Sequence, residues 1–189
     1  MAVPVSEIRR VLDPPIESWG ERPALRDAAV LILWAAGRGG DRLVFTLRKE
    51  HLSNHGGEIS FPGGSREGGE SPMACALREG REEIGLDPGT VEILGSLPPR
   101  PSIAGFLVHP FLGRIGDTSG LVPDPGEVER ILEIPLADLR DDRNWTWKEL
   151  SPPPYRRTMP FFMIHGPEGR PLWGLTALFV RELCRRLSS

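Results

Sequence analysis

Cysteine is scarce in this chain. Among 189 residues only Cys75 and Cys184 occur, and nothing in their spacing pairs them. They read as reduced thiols rather than as a bridge. An excess of charge of one sign is missing too: 23 lysines and arginines against 26 aspartates and glutamates leave a net charge of -3. Such a chain offers no basic field to a nucleic-acid backbone, so no nucleic acid is expected as a partner. No apolar run approaches the length of a membrane span, and no membrane association is expected. Residues 1–27 lack the apolar core of a signal peptide and carry Glu7, Arg9, Arg10 and Asp13 instead, from which a cytoplasmic location is expected. No internal repeat is visible.

What is present is enough to bury a proper core, with 39% hydrophobic residues spread over the whole length. Residues 1–27 read as an N-terminal extension and 28–189 as a single domain. Within the extension Ile8, Val11 and Leu12 suit a short amphipathic helix, which Pro14-Pro15 ends. The run Ala28 to Ala35 is continuously apolar, and Leu43 to Arg48 is shorter and partly polar; both read as strands joined through a turn at Gly37 to Asp41. Further strands are expected at Val91 to Leu97, Phe106 to Ile115, Val128 to Ile134 and Phe161 to His165. Leu175, Phe179, Leu183 and Leu187 recur every fourth residue, so the last segment should be a helix packed on the sheet. The expected fold class is α/β, a mixed sheet between helices.

Proline concentrates in Leu97 to Pro101 and Ser151 to Pro154, which read as loops. Trp145, Trp147, Tyr155 and Trp173 could stack on a nucleobase or simply pack. His51, His109 and His165 have no acidic or cysteine partner at metal-like spacing and are read as structural.

The most informative stretch is Gly63 to Glu70 followed by Arg78 to Leu86. A glycine-rich loop opens onto a helix predicted from about Pro72 to Ile84, with Ser71 as cap, Pro72 at its first position and Gly85 as its left-handed C-terminal residue. Glu79, Glu82 and Glu83 stand at i, i+3 and i+4, on one side of that helix. At about 100° per residue, Met73, Leu77, Gly80 and Ile84 form an apolar stripe almost opposite them. Like charges at such spacing destabilise a helix by a few tenths of a kcal/mol per pair, which a hard divalent cation would offset. The alternative is a solvated acidic face with Arg78 and Arg81 as ion-pair partners.

Gly64, five residues, Glu70, seven residues, then Arg78-Glu79-Gly80-Arg81-Glu82-Glu83-Ile84-Gly85-Leu86 resembles the signature box of Nudix hydrolases, with Gly80 standing where a larger aliphatic residue is usual. A second resemblance overlaps it. Thr46, Arg48, Leu52, His55, Gly57 and Phe61-Pro62-Gly63-Gly64 are similar to the motif preceding the box in the coenzyme A pyrophosphatase branch, departing at Lys49 and Ser53. Ser102 to Phe106, Pro110, Glu127-Val128 and Trp173 to Ala177 also look like that branch.

The resemblance implies a Nudix-type α/β/α sandwich and hydrolysis of the diphosphate of coenzyme A or a derivative, giving 3′,5′-ADP and 4′-phosphopantetheine. It implies Mg2+ or Mn2+ held by Glu79, Glu82 and Glu83, joined by a carbonyl of Gly63, with Glu79 or Glu127 as base. Gly64, Glu70 and Arg78 become structural members of the box, Arg78 pairing with Glu70. Arg48 and His55 become substrate contacts; for His55 a backbone-bonded loop histidine is an equal reading. The expected partner is a small nucleotide diphosphate, and a homodimer is left open. Another nucleoside diphosphate compound, such as ADP-ribose or NADH, is the alternative substrate. A nucleotide-sensing module without turnover is the alternative class, and retention of every box glutamate argues against it.

Overall fold

The computed structural model describes residues 3–20, 24–37, 40–51, 56–150, 157–164 and 169–188. Two long apolar strands, β1 (Arg26–Gly37) and β2 (Gly40–Arg48), form a hairpin, and two short strands follow, β3 (Ile59–Ser60) and β4 (Gly63–Ser65). Next come β5 (Glu92–Ser96), β6 (Arg100–Pro101), β7 (Phe106–Ile115) and β8 (Val128–Pro135). These eight make one sheet of order β3-β2-β1-β7-β5, with β4 on β1, β6 on β7 and β8 on β2. The β1–β7 pair is parallel over its whole length and the other pairs are antiparallel, so the sheet is mixed. A separate three-stranded sheet, β11-β10-β9, is built from β9 (Trp145–Leu150), β10 (Arg157–Met163) and β11 (Pro171–Leu172).

The four helices are α1 (Val5–Val11), α2 (Pro72–Ile84), α3 (Leu136–Arg140) and α4 (Gly174–Arg186). The unbroken apolar run of β1 is explained by helices on both faces of the sheet. Ala28, Ile32 and Trp34 enter one core with Ile8, Phe45, Phe61, Phe179 and Leu183, on the side of α1, α3 and α4. Their alternates Ala29, Leu31, Leu33 and Ala35 enter a second core with Cys75, Ala76, Ile84 and Phe111, on the side of α2. The result is the expected α/β/α sandwich.

The residues around α1 are part of this packing. Ile8 is fully buried, and Asp13 bridges to Ser96 beside β5. Several expectations need correcting. The strand expected over Phe161 to His165 runs instead from Arg157 to Met163. Part of the proline-rich Leu97 to Pro101 segment is strand β6, because Arg100 and Pro101 pair with Val108 and Leu107. Trp145 is not free to stack on a base, since it is buried in the first core and its indole N–H donates to the Leu139 carbonyl at 2.9 Å. Trp173 lies parallel to Phe161 at 5.9 Å, whereas Trp147 is 55% exposed. Tyr155, His165 and the Ser151 to Pro154 segment lie outside the described residues.

Candidate active site

Helix α2 begins and ends where its sequence requires. Ser71 accepts a hydrogen bond from the Ala74 N–H at 3.2 Å, Pro72 opens the first turn, and Gly85 adopts φ 63°, with its N–H returned to the last turn. Its orientation differs from the expected one. Met73 and Leu77 are only half-buried, while Pro72, Cys75, Ala76, Gly80, Glu83 and Ile84 are buried. The packed face is thus turned roughly 80° from the stripe read off the large apolar residues. Small side chains decide this: Cys75, Ala76 and Gly80 let the helix lie close against β1 and β4.

That rotation separates the three glutamates. Glu82 keeps half of its side chain exposed, Glu79 has 15%, and Glu83 is buried with 4% of its side chain exposed. Glu83 is met from two sides, by Arg48 Nη1 at 2.6 Å on Oε1 and by the Gly63 N–H at 3.3 Å on Oε2. Burial nevertheless outweighs both donors and pushes its carboxyl up to about 7. Burial raises Glu79 as well, against the opposing pull of Arg78.

The loop before the helix is shaped by close approach. A Cβ at Gly63 would meet the Ala29 carbonyl at 2.6 Å, because β4 is pressed onto β1. A Cβ at Gly64 would collide with the Glu79 carboxylate. Arg78 organises the remaining acids. Its Nε and Nη2 hold the two oxygens of Glu70 at 3.1 and 2.9 Å, its Nη1 reaches Glu79 at 2.9 Å and Glu82 at 2.8 Å, and Nη2 also donates to the Ser65 carbonyl. Glu70 in turn accepts from the Glu67 N–H, and Arg78 holds its carboxyl below the usual range. The expected Arg78–Glu70 pair is present. Arg81 is exposed, so Arg78 and Arg48 carry the ion pairing.

Arg48 spans the gap between helix and sheet. Its second nitrogen, Nη2, lies 3.1 Å from Glu127 Oε2, so one guanidinium joins Glu83 to Glu127. Glu127 is half-exposed in a turn where Asp124 accepts from both Gly126 and Glu127 N–H groups. Lys49, a departure from the branch motif, binds this turn from below, through its Nζ to the Pro125 carbonyl and its own N–H to the Glu127 carbonyl. Neither link is legible from sequence, since both join segments more than seventy residues apart. His55 lies outside the described residues. His109 is buried against Trp19, edge to face at 5.3 Å, consistent with a structural role.

Among the described residues no group of three or more His, Cys, Asp or Glu side chains is gathered as a metal cage. The donor set still fits a hard divalent cation. It consists of carboxylate oxygens, two of them on residues whose burial disfavours an uncompensated charge, with Glu79 close enough to raise Glu83 and Glu82 close enough to raise Glu79. No helix among the described residues is long and apolar enough to cross a membrane.

Comparison with known proteins agrees with this geometry. The NUDIX domain model matches residues 25–153. The chain is 36% identical over 168 residues to Nudix hydrolase 15, mitochondrial, of Arabidopsis thaliana, covering 86% of this chain but 59% of that protein. It therefore spans less than two thirds of that relative's length. It is 35% identical over 164 residues to the uncharacterized Nudix hydrolase NudL of Escherichia coli, covering 86% of this chain and 83% of NudL. Among solved structures, the NUDIX domain of Shewanella oneidensis NrtR, complexed with ADP ribose, superposes with a TM-score of 0.50 at 19% identity, over 64% of this chain and 81% of that one. That likeness concerns the fold alone. With the box helix, its glycine loop and the sandwich all in place, the chain belongs to the Nudix family.

Proposed function

We propose that this Nudix pyrophosphohydrolase cleaves the diphosphate of coenzyme A or a derivative to 3′,5′-ADP and 4′-phosphopantetheine, or its acyl form. The observation that carries the reading is the approach of Glu79 to Gly64 and of Glu83 to Gly63, with Arg48 joining Glu83 to Glu127 and Arg78 tying Glu82 to Glu79. Glu79, Glu82 and Glu83, with a Gly63 carbonyl, would hold magnesium or manganese. When bound, such an ion lowers the pKa of a water and neutralises phosphate oxygens.

The remaining roles fall to the chain itself. Glu79, nearly buried and raised by desolvation, accepts the proton of the attacking water; Glu127, on the opposite side of Arg48, is the second candidate base. Arg78 and Glu70 fix the position of Glu79 through the Arg78 fork. Arg48 supplies paired N–H donors for a phosphate, and His55 belongs with it as a substrate contact. Gly64 keeps the space into which Glu79 leans.

The branch assignment is supported by a scaffold as much as by contacts. Thr46 is buried with its hydroxyl on Ser60, and Phe61 stacks on Phe45 at 4.7 Å, so these motif positions shape the loop rather than touch substrate. Residues 28–189 form the hydrolase unit in this reading, with 1–27 an extension packed on it and a cytoplasmic place of action. Hydrolysis of ADP-ribose or NADH is the second reading, which the departures at Lys49 and Ser53 keep open.

Chromatographic product analysis with coenzyme A, ADP-ribose and NADH, each with magnesium or manganese and with Glu82→Gln as the blank, tests it. Release of 3′,5′-ADP from coenzyme A alone, lost in the variant, is expected. Turnover of ADP-ribose or NADH instead would retain the site and discard the substrate. Nucleotide bound without turnover would make the chain a sensing module.

A further inference from the structure

Arg48 is unusually committed for a residue meant only to receive substrate. It sits at the end of β2, where the register with β8 shifts between Leu47 and Arg48, an irregularity that re-aims a side chain. Both its backbone groups are held by the segment before β3, the N–H donating to the Glu58 carbonyl and the carbonyl accepting from the Gly57 N–H, each at 3.0 Å. From that seat the guanidinium, 20% exposed, bridges Glu83 and Glu127 on two different elements. Glu83 is the most deeply buried carboxylate of the box helix. Without Arg48 it would be a buried charge with one peptide N–H for company, which is costly.

A divalent ion drawn to Glu83 therefore meets a positive charge already resting 2.6 Å from one of its oxygens. Both cations seek the same buried carboxylate, and each repels the other in a poorly solvated setting. We propose that Arg48 is a built-in counter-cation that competes with the divalent ion for Glu83 and is displaced from it when the ion binds. The inference rests on the proposed metal role of Glu83. Its consequence is an order of events: Arg48 neutralises the site while it lacks metal, and its N–H groups are freed for a phosphate only after the ion is in place. Arg48 thus acts on both partners, with opposite effects on their affinities.

The test is calorimetric titration of manganese into the full metal-free chain without substrate, alongside thermal melts with and without the ion. Wild type is compared with Arg48→Met, Arg48→Gln and a charge control, Arg42→Met, which removes the exposed pair with Glu133 from the same strand. Arg48→Met is expected to bind manganese roughly five-fold or more tightly, to melt lower without metal, and to gain more from the ion than wild type does. Arg42→Met should match wild type. Should Arg48→Met fail to fold, Arg48→Gln decides, because it removes the charge but keeps a polar side chain beside Glu83; tighter binding than wild type supports the inference. Equal or weaker manganese binding by the Arg48 variants, with wild type binding normally, overturns it while leaving the proposed function intact. No manganese binding by wild type overturns both.

Discussion

A Cβ on Gly64 would stand 2.5 Å from the Glu79 carboxyl carbon, so the second glycine of the loop and the first glutamate of the box share one space. Gly64→Ala cannot be absorbed by the loop alone, because β4 is paired to β1 at the same residue. The Glu79 side chain must move, and a displacement of about 1 Å at a catalytic group can cost about 100-fold in rate. The expected result is a fall in kcat/KM of that order with a modest loss of melting temperature, measured by steady-state kinetics and thermal denaturation on the same preparation.

Arg78 is the hub that holds this carboxylate in place. Its side chain is 15% exposed and its fork serves Glu70, Glu79, Glu82 and the Ser65 carbonyl together. Lysine keeps the charge but cannot reproduce planar, two-pronged bonding. Arg78→Lys is therefore expected to lose about 1–3 kcal/mol in urea denaturation and to lower kcat. Glu70→Gln should do the same more mildly, since it leaves the bonds to Glu79 and Glu82. Equal activity in both variants and wild type would remove Arg78 from the positioning of Glu79.

How far the sequence reveals all this depends on the range of the interaction. The limits of α2 follow from Ser71, Pro72 and Gly85, each acting within a turn of the helix, and the structure reproduces them. The long strands are equally local, since the continuous apolar run of β1 needs only its own residues to be seen. The facing of α2 is not local. Met73 and Leu77 are large apolar side chains left half-buried, yet close approach is set by Cys75, Ala76 and Gly80, whose smallness signals nothing until the sheet is present. Glu83 illustrates the same point: its spacing from Glu79 places it near the other carboxylates, but its burial comes from Gly63 and Arg48. The short strands β3, β4, β6 and β11 have too few residues to show a period, and the buried Trp145 donates its indole N–H to a carbonyl of α3, a partner its own segment does not reveal.

Gly80 departs from the usual box, and its surroundings explain what a larger residue meets. A Cβ there would lie 3.0 Å from Leu86 Cδ2 and 3.2 Å from Leu31 Cδ2, both ends of flexible side chains. Alanine recovers about 1 kcal/mol of helix propensity, against a small shift of two methyl groups. Gly80→Ala should thus leave stability equal or slightly raised, whereas Gly80→Leu should overpack the second core and cost about 1–3 kcal/mol. Chemical denaturation of the two variants distinguishes the outcomes, and activity should fall further in Gly80→Leu than in Gly80→Ala, because Glu83 is buried on the same packed face as Gly80.

On α4, Glu182 accepts from Arg185 at 2.8 Å and from Arg186 at 2.9 Å, and Arg186 also reaches the Val11 carbonyl and Asp13. The helix thereby grips the N-terminal segment through one arginine that Glu182 steadies. Arg185 first, then Arg186, holds the Glu182 carboxyl down to about 2, against an ordinary value of 4.5. A depressed carboxyl stabilises the fold when ionised, so its contribution is complete above pH 4.5 and disappears as pH falls toward 2. Glu182→Gln removes the charge at every pH. The expected outcome is a variant that loses roughly 1–2 kcal/mol at neutral pH, while the gap to wild type narrows steadily on acidification through that window. Melting temperatures of the two proteins across the acid range measure this, and a gap that stays constant with pH would show that the pair carries no linked proton.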